Sequence, residues 1–428
     1  MHALRLCIAL VVLPASLLAQ SLTLDATMRA AVRRDGVARN AALDVTRSEA
    51  FAREIRAGLL PSVTARATAV RRTVNPDAFG IFSLPARATD PFTVLDARAA
   101  ARIPLLDLAA LGRWRAARLD VDAIAGNAAR SADTAALAAA VAYVRVAHAE
   151  ALVAARRQDV LLSRDLLSVA RERVDAGIAP NIDATRAGAQ LAESEALAAG
   201  SEADVERARI ALESALDDPA LAKLPLTDSL DRLASTDSLD ESAAIGLARA
   251  QRSEITAASA RVNAARQRAG AVGAEWIPSI GLVGDVGQIG RAGNRLVTTW
   301  QAGIEVSISL LDGFSRQARG AAGAAVLEQA ELGQREVLRA IDLEVRAAMA
   351  GTHAIAAQVR ASRLQVQLGE QEVDQARTRF TAGVAGNGDV VGALTALSRA
   401  RTSLANALAA QAIAQLAVAA ATGSLTPR

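Results

Sequence analysis

One helical turn occurs twice in this chain, and it constrains the fold more than any other feature. The first copy lies in RERVDAGIAPNIDATRAGAQLAESEAL, Arg171 to Leu197, and the second in RTRFTAGVAGNGDVVGALTALSRARTSL, Arg377 to Leu404. In each, a helical pattern stops at Ala-Gly (Ala176-Gly177 and Ala382-Gly383), a few small residues follow, and an aspartate (Asp183 and Asp389) precedes the next helical pattern. Gly177 and Gly383 are 206 residues apart, and so are Asp183 and Asp389. Two helical hairpins at one fixed offset mean an internal repeat.

Seven-residue stripes extend the repeat along both arms. Val153, Val160, Leu167 and Val174 lead into the first turn, and Ala184, Leu191, Ala198, Val205 and Leu212 lead away from it. Val359, Val366, Val373 and Phe380 repeat the incoming stripe 206 residues later, and Val390, Leu397 and Leu404 the outgoing one. Heptads on both arms predict left-handed coiled-coil pairs.

Upstream of each incoming helix the period switches from helical to alternating. A helical pattern from Leu22 to Leu60 ends at Pro61, where proline blocks continuation. Ser62 to Thr73 then alternates, with Val63, Ala65, Ala67 and Ala69 on one face and Thr64, Arg66, Thr68 and Arg72 on the other. After a turn-rich stretch (Asn75 to Asp90), Phe92 to Ile103 alternates again, setting Asp96, Arg98 and Arg102 opposite an apolar face. Pro104-Leu105-Leu106-Asp107 closes it, with Asp107 as an N-cap. The second repeat has Trp276-Ile277-Pro278, a strand from Ser279 to Ile289 carrying Asp285, and a strand from Thr298 to Leu310 carrying Glu305, closed by Leu311-Asp312-Gly313. Strict alternation gives each strand one apolar and one polar face.

The organisation expected is therefore a signal peptide over 1–19; a first repeat over 20–216, with strands near 62–74 and 91–103, a long helix 108–174 and a return helix 181–216; a Pro-, Asp- and Ser-rich linker over 217–241; and a second repeat over 242–428, with strands near 279–289 and 298–310, a long helix 313–380 and a return helix 388–422. The fold class is mainly α with a membrane β-barrel. The signal peptide is read from His2 and Arg5, the apolar run Leu6 to Leu13, and small residues ending at Ala19. The single cysteine, Cys7, lies inside that run, so the remainder offers no thiol for a disulfide, metal or nucleophile.

Composition narrows the packing. Aromatic residues make up 2% of the chain, and alanine supplies much of its apolar content, so helices must bury their faces by close approach of small side chains. Seven of the ten aromatics (Phe79, Phe82, Phe92, Trp114, Trp276, Trp300 and Phe314) lie in or beside the strand regions, as residues anchored near a membrane interface do. Arginines are interspersed with acids, and no basic cluster interleaves with aromatics, so nucleic acid is not an expected partner. The uncharged stretch from Thr402 to Pro427 is Ala-rich and carries Asn406, Gln411 and Gln415, and reads as a packed helix. His148 and His353 stand alone on helices, 205 residues apart, with no second ligand at helical spacing. No phosphate loop, nucleophile elbow, metalloprotease helix or paired-acid cleft is present, so neither an enzyme nor a cofactor is expected.

Four strands with apolar outer faces cannot close a transmembrane barrel, which takes at least about eight. Either several chains close one together, or the strands form soluble hairpins packed on helices. At this point the chain resembles the outer-membrane efflux proteins, the TolC-like channels, over essentially its whole length after the signal segment. The resemblance rests on the duplicated helix–strand–strand–helix order, Leu-Leu-Asp after each hairpin, and the Arg-x-x-Ala-Gly turns with Asp six residues after the glycine. It implies a homotrimer with a 12-stranded barrel among outer-membrane lipid and a helical tunnel crossing the periplasm. The tunnel tip would meet a periplasmic adaptor and, through it, an inner-membrane pump, for efflux or type I secretion.

The resemblance also implies roles for individual residues. Gly177, Ile178, Ala179 and Pro180, with Gly383, Val384 and Ala385, match adaptor-contacting tip segments. Asp183, Asp389 and Phe380 match positions at the channel gate, Phe380 equally continuing the heptad stripe. Arg66, Arg72, Asp96, Arg98, Arg102, Asp285 and Glu305 would line the barrel. Gly392 and Ala385 depart from relatives that carry an acidic residue and a basic gate partner there, so the resemblance does not imply their salt-bridged latch here. The other reading of the residues is a periplasmic coiled-coil adaptor or scaffold without a pore.

Overall fold

The computed structural model describes residues 21–75, 88–234 and 240–425. The expected signal segment and the aromatics Phe79 and Phe82 lie outside these residues. In chain order the elements are α1 (Leu24–Arg34), α2 (Gly36–Ala57), β1 (Ser62–Arg72), β2 (Phe92–Leu106), α3 (Leu108–Asp175), α4 (Asn181–Leu216), α5 (Pro219–Ala222), α6 (Leu230–Leu233), α7 (Glu241–Gln251), α8 (Ser253–Ala274), β3 (Ser279–Arg291), β4 (Val297–Ser307), α9 (Ser315–Ala350), α10 (Thr352–Thr381) and α11 (Asn387–Thr422). The contacts of the described residues define two compact units, each drawing on both repeats: those up to Arg39, from Ser131 to Gln251 and from Ile341 onward form one, and those from Asn40 to Arg130 and from Arg252 to Ala340 the other.

The first unit is helical. Every stripe residue is buried or half-buried, and Leu166, Leu167, Ala170, Val373, Phe380, Val390 and Leu397 share one core between the hairpins α3–α4 and α10–α11. Gly369 of α10 faces α11, where a Cβ would sit in ordinary contact with the Leu397 backbone at 3.4 Å. The linker, which the sequence reads as a break with room for a short helix, holds two. Asp218 and Ser229 cap the short helices α5 and α6, and Leu22 pairs with Leu226 as an isolated parallel bridge. Ala222, Leu230 and Ala234 are buried. Tyr143, fully buried on α3, fastens this region: its hydroxyl donates to the Leu22 carbonyl at 2.8 Å and accepts from the Asp228 amide at 3.3 Å.

Three helices expected to run unbroken do not, the one ahead of β3 dividing at Arg252 between α7 and α8. The helix predicted over 22–60 divides at Asp35, whose carboxylate accepts from the Ala38 amide at 2.7 Å and so restarts the helix as α2. The helix predicted over 313–380 divides at Gly351 into α9 and α10; its start moves to Ser315 because Gly313 and Phe314 both take positive φ. Glycine withdraws side-chain support from the helical backbone, and Gly351 carries no Cβ to pack. Helices α3 and α11 are long and apolar enough to cross a membrane by length and composition alone, but both lay their heptad stripes on neighbouring helices of this unit.

The second unit holds a four-stranded antiparallel sheet in the order β1-β2-β3-β4. The two repeats meet at β2 and β3, paired from Val94↔Arg291 to Leu106↔Ile280 with a bulge at Pro104/Leu106. Strand β2 runs three residues past the expected Ile103, β3 two past Ile289, and β4 stops at Ser307, three short of the expected Leu310. Beside the sheet, α3 and α8 pack through small residues. A Cβ at Gly112 would lie 2.9 Å from the Ala271 Cβ, and one at Gly126 would lie 2.7 Å from the Ala257 Cβ and 2.8 Å from the Ser253 carbonyl oxygen. The glycines are two heptads apart on one helix and their partners two heptads apart on the other. This is the close backbone approach that an Ala-rich, aromatic-poor composition demands.

Candidate functional site: the sheet faces and the helical turns

Register decides which side chains share a face of the sheet. Arg66 lies opposite Arg98, Arg98 opposite Gly287, and Gly287 opposite Thr299. One face therefore carries all seven residues expected to line a barrel: Arg66, Arg72, Asp96, Arg98, Arg102, Asp285 and Glu305. Arg98 bonds Asp96 at 3.0 Å and also bonds Asp285, which in turn accepts from Gln301. Arg102 reaches Glu305 at 2.8 Å across the intervening strand. Gly287 makes room for this network, since a Cβ there would lie 2.3 Å from the Arg98 Cβ and 2.4 Å from the Ala97 carbonyl oxygen.

Among the further residues that this register sets on the same face are Phe92 and Arg291, which the sequence reading missed. The Arg291 guanidinium lies 5.3 Å from the Phe92 ring centroid. Arg291 was missed because β3 was expected to stop at Ile289; extending the alternation by one step would have found it.

The opposite face is apolar and uncovered. Val63, Trp300 and Ile304 are 74%, 76% and 70% exposed. At the end of the sheet where β1 and β3 begin, Leu60, Leu105, Trp276, Leu310, Leu311 and Phe314 are exposed as well. Arg316 stacks 4.0 Å from the Trp276 ring centroid and donates to the Ser309 carbonyl at 2.7 Å. Asp312 caps α9, accepting from Ser315 Oγ at 2.8 Å and the Arg316 amide at 3.0 Å; the Ser315 hydroxyl, more than the amide, holds its carboxyl below the usual carboxylate range. Asp107 caps α3 in the same way through the Ala110 amide at 2.7 Å.

The two turns of the first unit close alike. Gly177 has φ +71° and Gly383 φ +76°, a left-handed conformation that favours glycine. In the first turn the Ile178 amide donates to the Arg173 carbonyl at 3.0 Å and the Gly177 amide to the Val174 carbonyl at 2.9 Å. The second repeats this with Val384 to Arg379 and Gly383 to Phe380, both at 3.0 Å. These are Schellman closures, which satisfy the last carbonyls of each helix. Ile178 and Val384 end up 66% and 73% exposed, Ala179 and Ala385 half-buried, and Pro180 exposed.

The residues matched to gate positions separate. Asp183 and Asp389 both stand third in their return helices, where a carboxylate faces the positive helix end. Asp183 is buried and Asp389 exposed. Asn387 Nδ2 donates to the Asp183 carbonyl at 2.5 Å, and Arg379 lies 4.0 Å from Asp389. Phe380 is 2% exposed and packs in the hairpin core. Arg173 ties one hairpin to the other, donating to the Phe380 and Thr381 carbonyls at 2.7 and 2.9 Å.

Farther along the same helices, a polar groove of about 430 Å³ is lined by residues including Arg156, Asp159, Ser194, Ser398 and Thr402. Its groups engage one another: Arg401 pairs with Asp159 at 2.9 Å, and Arg156 donates to Thr402 at 2.9 Å and to Ser398. Among the described residues no cluster of His, Cys, Asp and Glu could hold a metal ion.

This geometry has known counterparts. A membrane protein from Pseudomonas aeruginosa superposes with a TM-score of 0.78 at 19% identity, covering 95% of this chain and 91% of that one. The outer membrane protein VceC from Vibrio cholerae gives 0.75 at 19%, covering 94% and 96%. The open state of the MtrE outer membrane channel from Neisseria gonorrhoeae gives 0.75 at 19%, covering 94% and 89%. No curated protein matches the sequence. Residues 244–424 match the outer membrane efflux protein family, and the chain as a whole has the fold of the outer-membrane channels.

Proposed function

We propose that this chain forms, as a homotrimer, a passive exit duct in the bacterial outer membrane that extends into the periplasm and serves efflux or type I secretion. One observation carries the reading. The sheet has an exposed apolar face, an ion-paired polar face and two open edges, β1 and β4. In water such a face and such edges invite aggregation. In a bilayer the apolar face meets lipid, and three copies joined edge to edge give twelve strands around a polar lumen. A soluble scaffold has no use for this face.

The two helical turns serve as the periplasmic tip. Their exposed Ile178 and Val384, beside the left-handed glycines, offer a small apolar surface to the hairpin of an adaptor, which couples the duct to an inner-membrane pump. Asp389, exposed in the first turn of its helix, is the residue a threefold axis would gather into an acidic ring; such rings attract cations. The duct performs no chemistry of its own, and energy comes from the pump.

Deleting the gene in its host tests the reading. Cells should accumulate the exported compound and recover on expression of the wild-type chain, but not of Trp300→Asp, which places a charge on the lipid face. Unimpaired export in the deletion strain, or full rescue by Trp300→Asp, would contradict it.

A further inference from the structure

The ion pairs on the polar face of the sheet do not balance. That face carries five arginines (Arg66, Arg72, Arg98, Arg102 and Arg291) against three carboxylates (Asp96, Asp285 and Glu305). The carboxylates are committed: Asp96 and Asp285 to Arg98, and Glu305 to Arg102. Arg66, Arg72 and Arg291 have no ion pair among the described residues. Arg66 is directly opposite Arg98, a like-charge pair that is tolerable because Arg98 is paired with Asp96 on its own strand and with Asp285 on the strand beyond.

The surplus has a position. Arg72 is opposite Phe92, and Arg291 stacks on that ring, so two of the three free guanidinium groups gather where the hairpin connections leave the sheet. Glu305 is paired near the other end, opposite Gly281. Among the described residues of the two hairpin connections, Asp90 and Arg295 cancel one another. Whichever edge a neighbouring copy pairs with, it brings the same imbalance.

We infer that the mouth of the barrel favours anionic solutes, with Arg66, Arg72 and Arg291 setting that preference. The inference rests on the duct reading, since only a closed barrel makes this face a lumen. Fixed charge on the wall of a low-dielectric passage raises the local concentration of counter-ions. The preference is opposite in sign to that of an acidic ring at the tip, so the passage would be charged differently at its two ends.

The test is the chloride-to-potassium permeability ratio of the purified protein in a planar bilayer, read from the reversal potential under a KCl gradient. Arg66→Gln/Arg72→Gln/Arg291→Gln should lower the ratio by about twofold or more, and Arg72→Glu alone should lower it in the same direction. Arg71→Gln, on the opposite face, is the control and should leave it unchanged. Gel mobility of the unheated oligomer confirms that each variant assembles. Assembled, conducting variants with the wild-type ratio would overturn the inference and leave the duct reading standing. Wild-type protein that never conducts would overturn both.

Discussion

Arg173, on the incoming helix of the first hairpin, lies 4.9 Å from the Phe380 ring centroid on the incoming helix of the second and donates to that residue's carbonyl at 2.7 Å. One side chain thus caps the end of a neighbouring helix and covers the aromatic ring that anchors the core beneath it. A cation at a helix C-terminus is favoured by the helix dipole and by the unsatisfied carbonyls there. With Asn387 bonded to the Asp183 carbonyl, this fixes the two turns to one another within a protomer.

Arg173→Ala should therefore loosen the second turn. Losing the cap costs about 1–2 kcal/mol locally, a roughly five- to thirtyfold rise in opening. Hydrogen exchange at the Gly383, Val384 and Ala385 amides, which close the turn, should accelerate accordingly, while Leu212 at the far end of the hairpin stays protected. Unchanged exchange at all three amides would show that Arg173 is not a cap.

The two aspartates should behave differently when removed. Asp389→Ala deletes an exposed carboxylate and should raise resting conductance or weaken block by divalent cations, with little change in stability. Asp183→Ala alters a buried position and should show mainly as lower thermal stability. Single-channel recording and thermal melting together separate the outcomes, and identical cation response in wild type and Asp389→Ala would remove that residue from the gate.

Close packing of α3 on α8 predicts an unusual intolerance of alanine. Gly126→Ala forces backbone apart at Ala257 and Ser253 and should cost about 1–3 kcal/mol. Gly200→Ala, on α4 with open space around it, should be neutral or stabilising because alanine is the better helix former. Melting temperatures of the detergent-solubilised variants check the contrast.

Tyr143 gives a pH dependence. Burial, above all, pushes its hydroxyl from 10.0 up to about 12. The neutral hydroxyl is the form that bonds Leu22, so its stabilisation is complete below pH 10, the unfolded value, and is lost as pH rises through the folded value of about 12. Tyr143→Phe should cost about 1 kcal/mol at neutral pH and flatten this alkaline loss. A wild-type melting curve with no slope between pH 10 and 12 would contradict the assignment.

Much of this was legible because the signals are periodic. Alternation placed Arg66 and Glu305 on one face, and heptads placed Val373 and Leu397 in one core, since both follow from strand and helix geometry. Where the outcome depends on a single residue against its surroundings, periodicity was silent. Nothing in the pattern marked Gly351 as a helix break while Gly369 and Gly126 sit inside continuous helices. The linker's Pro, Asp and Ser content read as a break, yet Leu230 and Ala222 are buried through contacts with sequence-distant helices. The gate positions share a sequence offset, but burial divides them: Asp183 and Asp389 are equivalent in the repeat, yet Asp183 is buried with its carbonyl bonded by Asn387 while Asp389 is exposed.

The most direct measurement is a bilayer recording of the full chain extracted from outer-membrane fractions in detergent. The account predicts a protein three chains in mass that inserts and conducts in uniform steps. A soluble protein released with the periplasmic fraction, or an extracted one that never conducts, would contradict it.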